Sequence, residues 1–165
     1  MQTISPFLWF DGQAEEAADF YVSVFENSRI VGVSRYGEAG PGPTGSVMTV
    51  TFELNGEAIT ALNGGPEFSF SAAISLYVSC DTQDEVDYLW EKLTEDGEPG
   101  QCGWLTDRYG LSWQVVPKAL GELLANSDSA GSQRVVAALL QMRKIDIATL
   151  ERAYAGEQET QRKAV

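Results

Sequence analysis

Few side chains in this sequence can carry acid–base, nucleophilic or metal chemistry near neutral pH, because it contains no histidine. That absence removes the commonest metal ligand, the usual general base, and every Ser-His-Asp or Cys-His pairing. Chemistry must then come from carboxylates, amides, hydroxyls, thiols or aromatic surfaces. Cys80 and Cys102 are the two thiols. Cys102, between Gln101 and Gly103-Trp104, would act as a nucleophile or redox thiol only with a cation or helix N-terminus to depress its pKa; the alternative is a buried inert thiol, the reading for Cys80 at a strand end. Glu15, Glu16, Glu85 and Asp87 fall on helical segments, and Glu53 and Glu57 flank a turn. These carboxylates read as solvated faces rather than acid–base pairs.

Composition narrows the class further. The 165 residues are 44% hydrophobic, enough for a full core. The longest apolar runs, such as Phe7 to Phe10, are far too short to span a bilayer. No basic region followed by an apolar stretch opens the sequence, and two cysteines are too few for a disulfide framework, so a cytoplasmic protein is expected. Asp and Glu number 24 against 11 Lys and Arg, a net charge of −13 with no basic patch. Such a surface repels phosphate backbones and argues against nucleic-acid partners.

The elements that must position these residues follow from periodicity. Ile4 to Phe10 reads as a strand ending at Asp11-Gly12. Ala17, Phe20, Tyr21, Val24 and Phe25 then recur at helical spacing, with Glu15 and Glu16 near the N-terminus, where negative charge is favoured. Arg29 to Tyr36 alternates as a second strand, and Gly37 to Gly45, with two prolines, is a loop without pattern. Val47 to Leu54 and Glu57 to Leu62 are β-rich runs joined by Asn55-Gly56, a two-residue hairpin signal. The order then restarts. Ala73 to Ser79 is a strand, Thr82 and Glu85 have capping-box spacing, and Val86, Leu89, Trp90 and Leu93 form a helix stripe stopped by Gly97. Strands over Gln101 to Leu105 and Leu111 to Val116 flank the turn Asp107-Arg108-Tyr109-Gly110. Beyond Pro117, taken as a first helical position, come helical stripes at Leu120, Leu123 and Leu124 and at Val135, Val136, Leu139 and Leu140. Asp146 caps a last helix through Ile147, Leu150 and Tyr154, and Gly156 ends it.

A constant offset of 68 residues relates the two halves, carrying Trp9 onto Tyr77, Phe10 onto Val78, Asp19-Phe20 onto Asp87-Tyr88 and Phe25 onto Leu93. The fold class expected is α+β: paired βαβββ modules, at about 3–66 and 72–117, forming one domain over 1–117. A helical extension over 118–156 and a disordered polar tail over 157–165 follow. Strand alternation groups Ser5, Phe7 and Trp9 on one face, and Ala73, Ser75, Tyr77 and Ser79 on the matching face. Trp113 faces away from Gln114 and reads as core beneath a helix. Trp104 reads as bordering a cleft or a subunit contact.

Two stretches, "FLWFDGQAEEAADFYVSVFENSRI" and "CGWLTDRYGLSWQVVP", resemble the vicinal oxygen chelate superfamily of glyoxalase I, bleomycin-resistance proteins and extradiol dioxygenases. The resemblance is to its PhnB-like branch, which carries the legacy label demethylubiquinone 3-methyltransferase, and it covers about residues 3–117. It implies half-barrels facing across a cleft, a homodimer, and metal-ligand positions at Ser5, Ala73, Gln114 and one of Thr60 or Asn63. Transition metals want imidazole, thiolate or carboxylate, so this set implies no metal and no cofactor. The legacy label meets a similar objection: an adenosylmethionine site wants a Gly-rich turn after the first strand, and Asp11-Gly12-Gln13-Ala14 has one glycine. With the concave face so assigned, the expected ligand-binding set is Ser5, Phe7, Trp9, Asn63, Tyr77, Cys102, Trp104 and Gln114. The expectation is a metal-independent protein binding a small aromatic or apolar metabolite. A metal-independent enzyme using Cys102, Gln114 or a tyrosine, and a structural dimer whose cleft is self-filled, are the alternatives.

Overall fold

The computed structural model describes residues 2–127 and 129–157. The chain divides into two compact units, the first ending at Ser71 and the second beginning at Ala72. Among the described residues no helix is long and apolar enough to cross a membrane.

The first unit is a four-stranded sheet with one helix. Its strands are β1 (Phe7–Phe10), β2 (Arg29–Arg35), β3 (Val47–Leu54) and β4 (Glu57–Asn63), with α1 (Ala14–Val24) between the first two. The order across the sheet is β1-β4-β3-β2, with β1 parallel to β4 and the other pairs antiparallel. Asn55-Gly56 closes the β3–β4 hairpin as the sequence suggests: both residues have positive φ (48° and 87°), which the right-handed twist of the flanking strands requires of a two-residue turn. Alternation does the rest. Leu8, Phe10, Val50, Phe52, Ile59 and Ala61 are buried on one face, and Ala14, Ala17, Ala18, Tyr21 and Val24 of α1 are buried too. Tyr21 stacks on Phe52 with ring centroids 6.1 Å apart. Burying an aromatic or large aliphatic side chain of this kind stabilises by roughly 1.5–3 kcal/mol. The strand expected from Ile4 begins only at Phe7; Ile4 is fully exposed, and the ladder starts where the Pro6 carbonyl accepts the Thr60 N–H.

The second unit repeats the plan. Its strands are β5 (Ser75–Cys80), β6 (Glu98–Pro99), β7 (Trp104–Thr106) and β8 (Ser112–Pro117), in the order β5-β8-β7-β6, with α2 (Gln83–Thr94) after β5. Thr82 caps α2 by accepting the Glu85 N–H at 3.2 Å, while the Glu85 carboxylate reaches back to the Asp81 N–H at 2.6 Å. The strand expected over Gln101 to Leu105 is shorter and later. Cys102 and Gly103 both have positive φ (56° and 83°), and their N–H groups bond to the carbonyls of Met142 and Arg143. With both N–H groups so taken, the segment contributes only the Gly103 carbonyl, which accepts the Val115 N–H at 2.8 Å, before β7 starts at Trp104. Pro117 likewise ends β8 and caps the following helix instead of starting it.

Three helices complete the second unit: α3 (Lys118–Leu123), α4 (Ala130–Leu139) and α5 (Ile147–Ala155). They dock on their own unit. Val116, Leu120, Val135, Ile145 and Leu150 form one buried cluster. Gln83 of α2 donates to the Ile145 carbonyl at 3.0 Å and accepts the Ile147 N–H at 2.8 Å. Asp146 caps α5 through the Thr149 N–H at 2.7 Å, and Gly156 terminates it in the left-handed region (φ 81°). The polar tail expected from residue 157 lies, from residue 158 on, outside the described residues.

Candidate functional site

Each sheet has one face packed on its helix and one face free of it, and the free faces carry most of the residues singled out above. In the first unit β1 and β4 pair Phe7 with Thr60 and Trp9 with Leu62, and paired residues share a face. Leu8 and Phe10 point into the core at 7% and 3% exposure, whereas Phe7 is 63% exposed. Trp9 is held in place at its polar end, where Nε1 donates to the Gly65 carbonyl at 2.9 Å. Its ring meets that of Phe68 edge-on, centroids 5.0 Å apart. Gly64 lies flat beneath the indole; a Cβ there would come within 2.3 Å of it. Phe68 is itself 67% exposed, so this aromatic surface is rigid yet open.

In the second unit the free face has an equivalent row. Tyr77 pairs with Gln114 across β5 and β8, and Gln114 pairs with Trp104 across β8 and β7. The Gln114 amide donates to Ser75 Oγ at 2.9 Å, which orients it. Tyr77 is 59% exposed. The neighbour of Gln114 in β8 behaves oppositely. Trp113 is 2% exposed and its Nε1 donates to Asp107 Oδ2 at 2.8 Å, so it is core. Asp107 also accepts the N–H groups of Tyr109 (2.9 Å) and Leu111 (3.0 Å) through Oδ1, and this locks the turn that delivers β8.

The remaining candidates lie elsewhere. Ser5 is exposed and precedes β1, and Ala73 is exposed and precedes β5. Cys102 sits where β7 meets the C-terminal helices, its thiol directed at the Leu139 carbonyl at 3.5 Å. Asn63 ends β4 with both amide atoms engaged: Oδ1 accepts the Ala14 N–H at 2.8 Å, and Nδ2 donates to the Val47 carbonyl at 3.1 Å. Phe68 and Ser75, which lie outside the ligand set expected from sequence, complete the two rows. The signal for Phe68 was present as an aromatic in a Gly- and Pro-rich segment, the signal for Ser75 as its alternation with Tyr77.

The donor chemistry of the four family ligand positions does not suit a transition metal. Serine, alanine, glutamine and threonine or asparagine supply hydroxyl, methyl and amide groups, where such a metal wants imidazole, thiolate or carboxylate. Among the described residues no cluster of three His, Cys, Asp or Glu side chains is placed to hold a metal ion. Burial pushes the Cys80 thiol up to about 11, with the nearby carboxylates of Glu85 and Asp81 adding to the shift, so Cys80 supplies no thiolate near neutral pH.

The family model described as 3-demethylubiquinone-9 3-methyltransferase matches residues 2–116. A solved structure of a PhnB protein from Bacillus cereus, carrying the same methyltransferase description, is 44% identical. It matches 70% of this chain and 99% of its own, with a TM-score of 0.63. A Pseudomonas aeruginosa protein, PA1353, is 22% identical over 71% of this chain and 98% of its own, with a TM-score of 0.60, and shares the fold. A glyoxylase/bleomycin resistance protein/dioxygenase domain from Frankia sp. EAN1pec is 13% identical over 71% of this chain and 92% of its own, with a TM-score of 0.46. No curated protein matches the sequence.

Proposed function

The chain belongs to the 3-demethylubiquinone-9 3-methyltransferase family, and we propose that it has the paired-module fold of glyoxalase/bleomycin-resistance proteins and binds a small aromatic or apolar metabolite without a metal. The observation that carries this reading is the make-up of the helix-free sheet faces. Phe7 and Trp9, stiffened by Phe68 and Gly65, offer flat apolar area in the first unit. Tyr77 and Trp104 offer it in the second, with Gln114 held by Ser75 as an oriented polar anchor. Pockets for small organic ligands have this composition: mostly apolar and aromatic walls with few fixed hydrogen-bonding groups. A homodimer belongs to the same reading, since Phe7, Phe68 and Tyr77 are each more than half exposed.

Methyl transfer is not part of this proposal. The chemistry named in the family description uses adenosylmethionine, a cofactor usually held over a Gly-rich strand-to-helix turn. Here that turn has Gly12 as its single glycine, and the first helical N–H, of Ala14, is already taken by Asn63. These residues do not fit the cofactor.

A thermal-shift screen against a metabolite library tests the proposal, because a ligand selective for the folded form raises apparent stability. The expected result is stabilisation by flat or apolar compounds that is lost in Trp9→Ala or in Gln114→Ala. Stabilisation only by added divalent metal, or a hit untouched by either substitution, would overturn it. Turnover abolished by Cys102→Ser would favour the enzymatic alternative. Sedimentation equilibrium checks the dimer.

A further inference from the structure

The stretch that follows β4 carries two phenylalanines, Phe68 and Phe70, in a run without helix or strand. Contacts on either side of Phe68 pin that run to β1. The Gly64 N–H donates to the Phe10 carbonyl at 3.0 Å, and the Gly65 carbonyl accepts Trp9 Nε1 at 2.9 Å. Beyond Phe68, the Phe70 ring meets that of Phe10 at 75°, centroids 5.1 Å apart, and Phe10 is 3% exposed. Phe68 is therefore held out by a span anchored before and after it. The 68-residue offset carries Phe68 onto Val136 in α4, so the second unit has no counterpart of this span.

What the span presents is a wall. The rings of Phe68 and Trp9 stand at 84° to each other with centroids 5.0 Å apart. Perpendicular rings in contact make an inside corner, where a third ring can stack on one wall and meet the other edge-on, the two arrangements that aromatic groups favour. Phe7, on the same face as Trp9, continues the apolar floor. The corner is narrow. Gly64 lies so close to the six-membered ring of the indole that a Cβ would fall 2.3 to 2.6 Å from Cε2, Cζ2 and Cη2. Backbone therefore bounds that part of Trp9, and the Phe68 ring bounds another. Phe68 leaves 67% of itself in solvent, so it contributes little to the core of its own unit, and its contact with Trp9 is what distinguishes its position.

Given a ligand on this face, as proposed above, we infer that Phe68 is a specificity-determining residue that limits the group seated against Trp9 to a single aromatic ring.

Phenol and 2-naphthol, one ring and two fused rings bearing the same hydroxyl, are the probes that test this, with the Trp9 Nε1–H resonance as the NMR readout. A second ring ordinarily adds affinity through its apolar area. The wall removes that gain: phenol should shift the Trp9 signal saturably, and 2-naphthol should bind no more tightly. In Phe68→Ala, phenol binding should weaken about threefold to tenfold, the worth of one aromatic contact. 2-Naphthol binding to the same variant should tighten by about threefold or more, because the second ring gains room. Phe68→Trp, which narrows the corner further, should weaken both. Phe68 is exposed, so the variants keep the fold, and unchanged Phe10 and Gly64 amide signals without ligand would show it. Tighter binding of 2-naphthol than of phenol by the unaltered protein, or equal changes for the two probes in Phe68→Ala, would overturn the inference and leave the ligand face standing. No saturable Trp9 shift from either probe in any of these proteins would remove the first-unit ligand site, and the inference with it.

Discussion

Asp107 holds together the turn that aims Gln114, and replacing it makes the sharpest test of how this fold positions its candidate site. The carboxylate is 3% exposed and accepts three hydrogen bonds, from the N–H groups of Tyr109 and Leu111 and from Trp113 Nε1, at 2.8 to 3.0 Å. Asp107→Ala leaves two of those donors buried without a partner, since Leu111 and Trp113 are each 2% exposed; Tyr109 can turn to water. Each orphaned buried donor costs about 1–3 kcal/mol, and the lost carboxylate bonds are of the stronger, charge-assisted kind. The expected loss is therefore about 3–5 kcal/mol, a large share of the roughly 5–15 kcal/mol that holds a typical domain together. Trp113→Phe removes the Nε1 donor and leaves the buried Asp107 Oδ2 without that partner, a cost that vanishes once Asp107 is also replaced. In the double variant the two losses should then sum to about 2 kcal/mol less than the separate values. Urea unfolding followed by circular dichroism measures the stabilities, and hydrogen exchange at the Val115 amide in β8 isolates the second unit. An Asp107→Ala loss below about 1 kcal/mol, or a coupling indistinguishable from zero, would refute the account of the turn.

Gln83→Ala should undock the C-terminal helices, because one side chain serves both the Ile145 carbonyl and the Ile147 N–H; a loss of about 2 kcal/mol and faster exchange at the Ile147 amide are expected. Asp87 and Asp146 sit on the same junction. The Lys144 ammonium and then Gln83 hold the Asp87 carboxyl below its ordinary 3.8, and the cap bond to Thr149 does the same for Asp146. Both carboxyls bind protons more readily when unfolded. Their contribution is thus present above that ordinary value and is lost as pH falls through the lower folded values. Melting temperature measured from about pH 5 downward should fall less steeply in Asp146→Asn, and an identical slope would count against the cap. Cys80, raised to about 11 and 1% exposed, should resist iodoacetamide near neutral pH until the protein unfolds; mass spectrometry showing prompt labelling of folded protein would contradict its burial.

Sequence alone determined the features that neighbouring residues enforce on one another. The α1 stripe, the Asn55-Gly56 turn, the Thr82 and Asp146 caps and the faces of Phe7, Trp9, Tyr77 and Gln114 depend on side-chain period or turn chemistry within a few residues. The duplication was legible for the same reason, since the offset joining Trp9 to Tyr77 links equivalent places in two local patterns. Tertiary structure decided what distant backbone groups demand. Cys102 and Gly103 leave the β region because carbonyls some forty residues away, at Met142 and Arg143, take their N–H groups. The Asn63 amide joins a helix start to a strand, which no spacing in the chain reveals. The Gly37–Gly45 loop has no period to read because its order comes from packing on Tyr36, and a hydrogen bond that joins residues far apart in sequence leaves no local pattern behind.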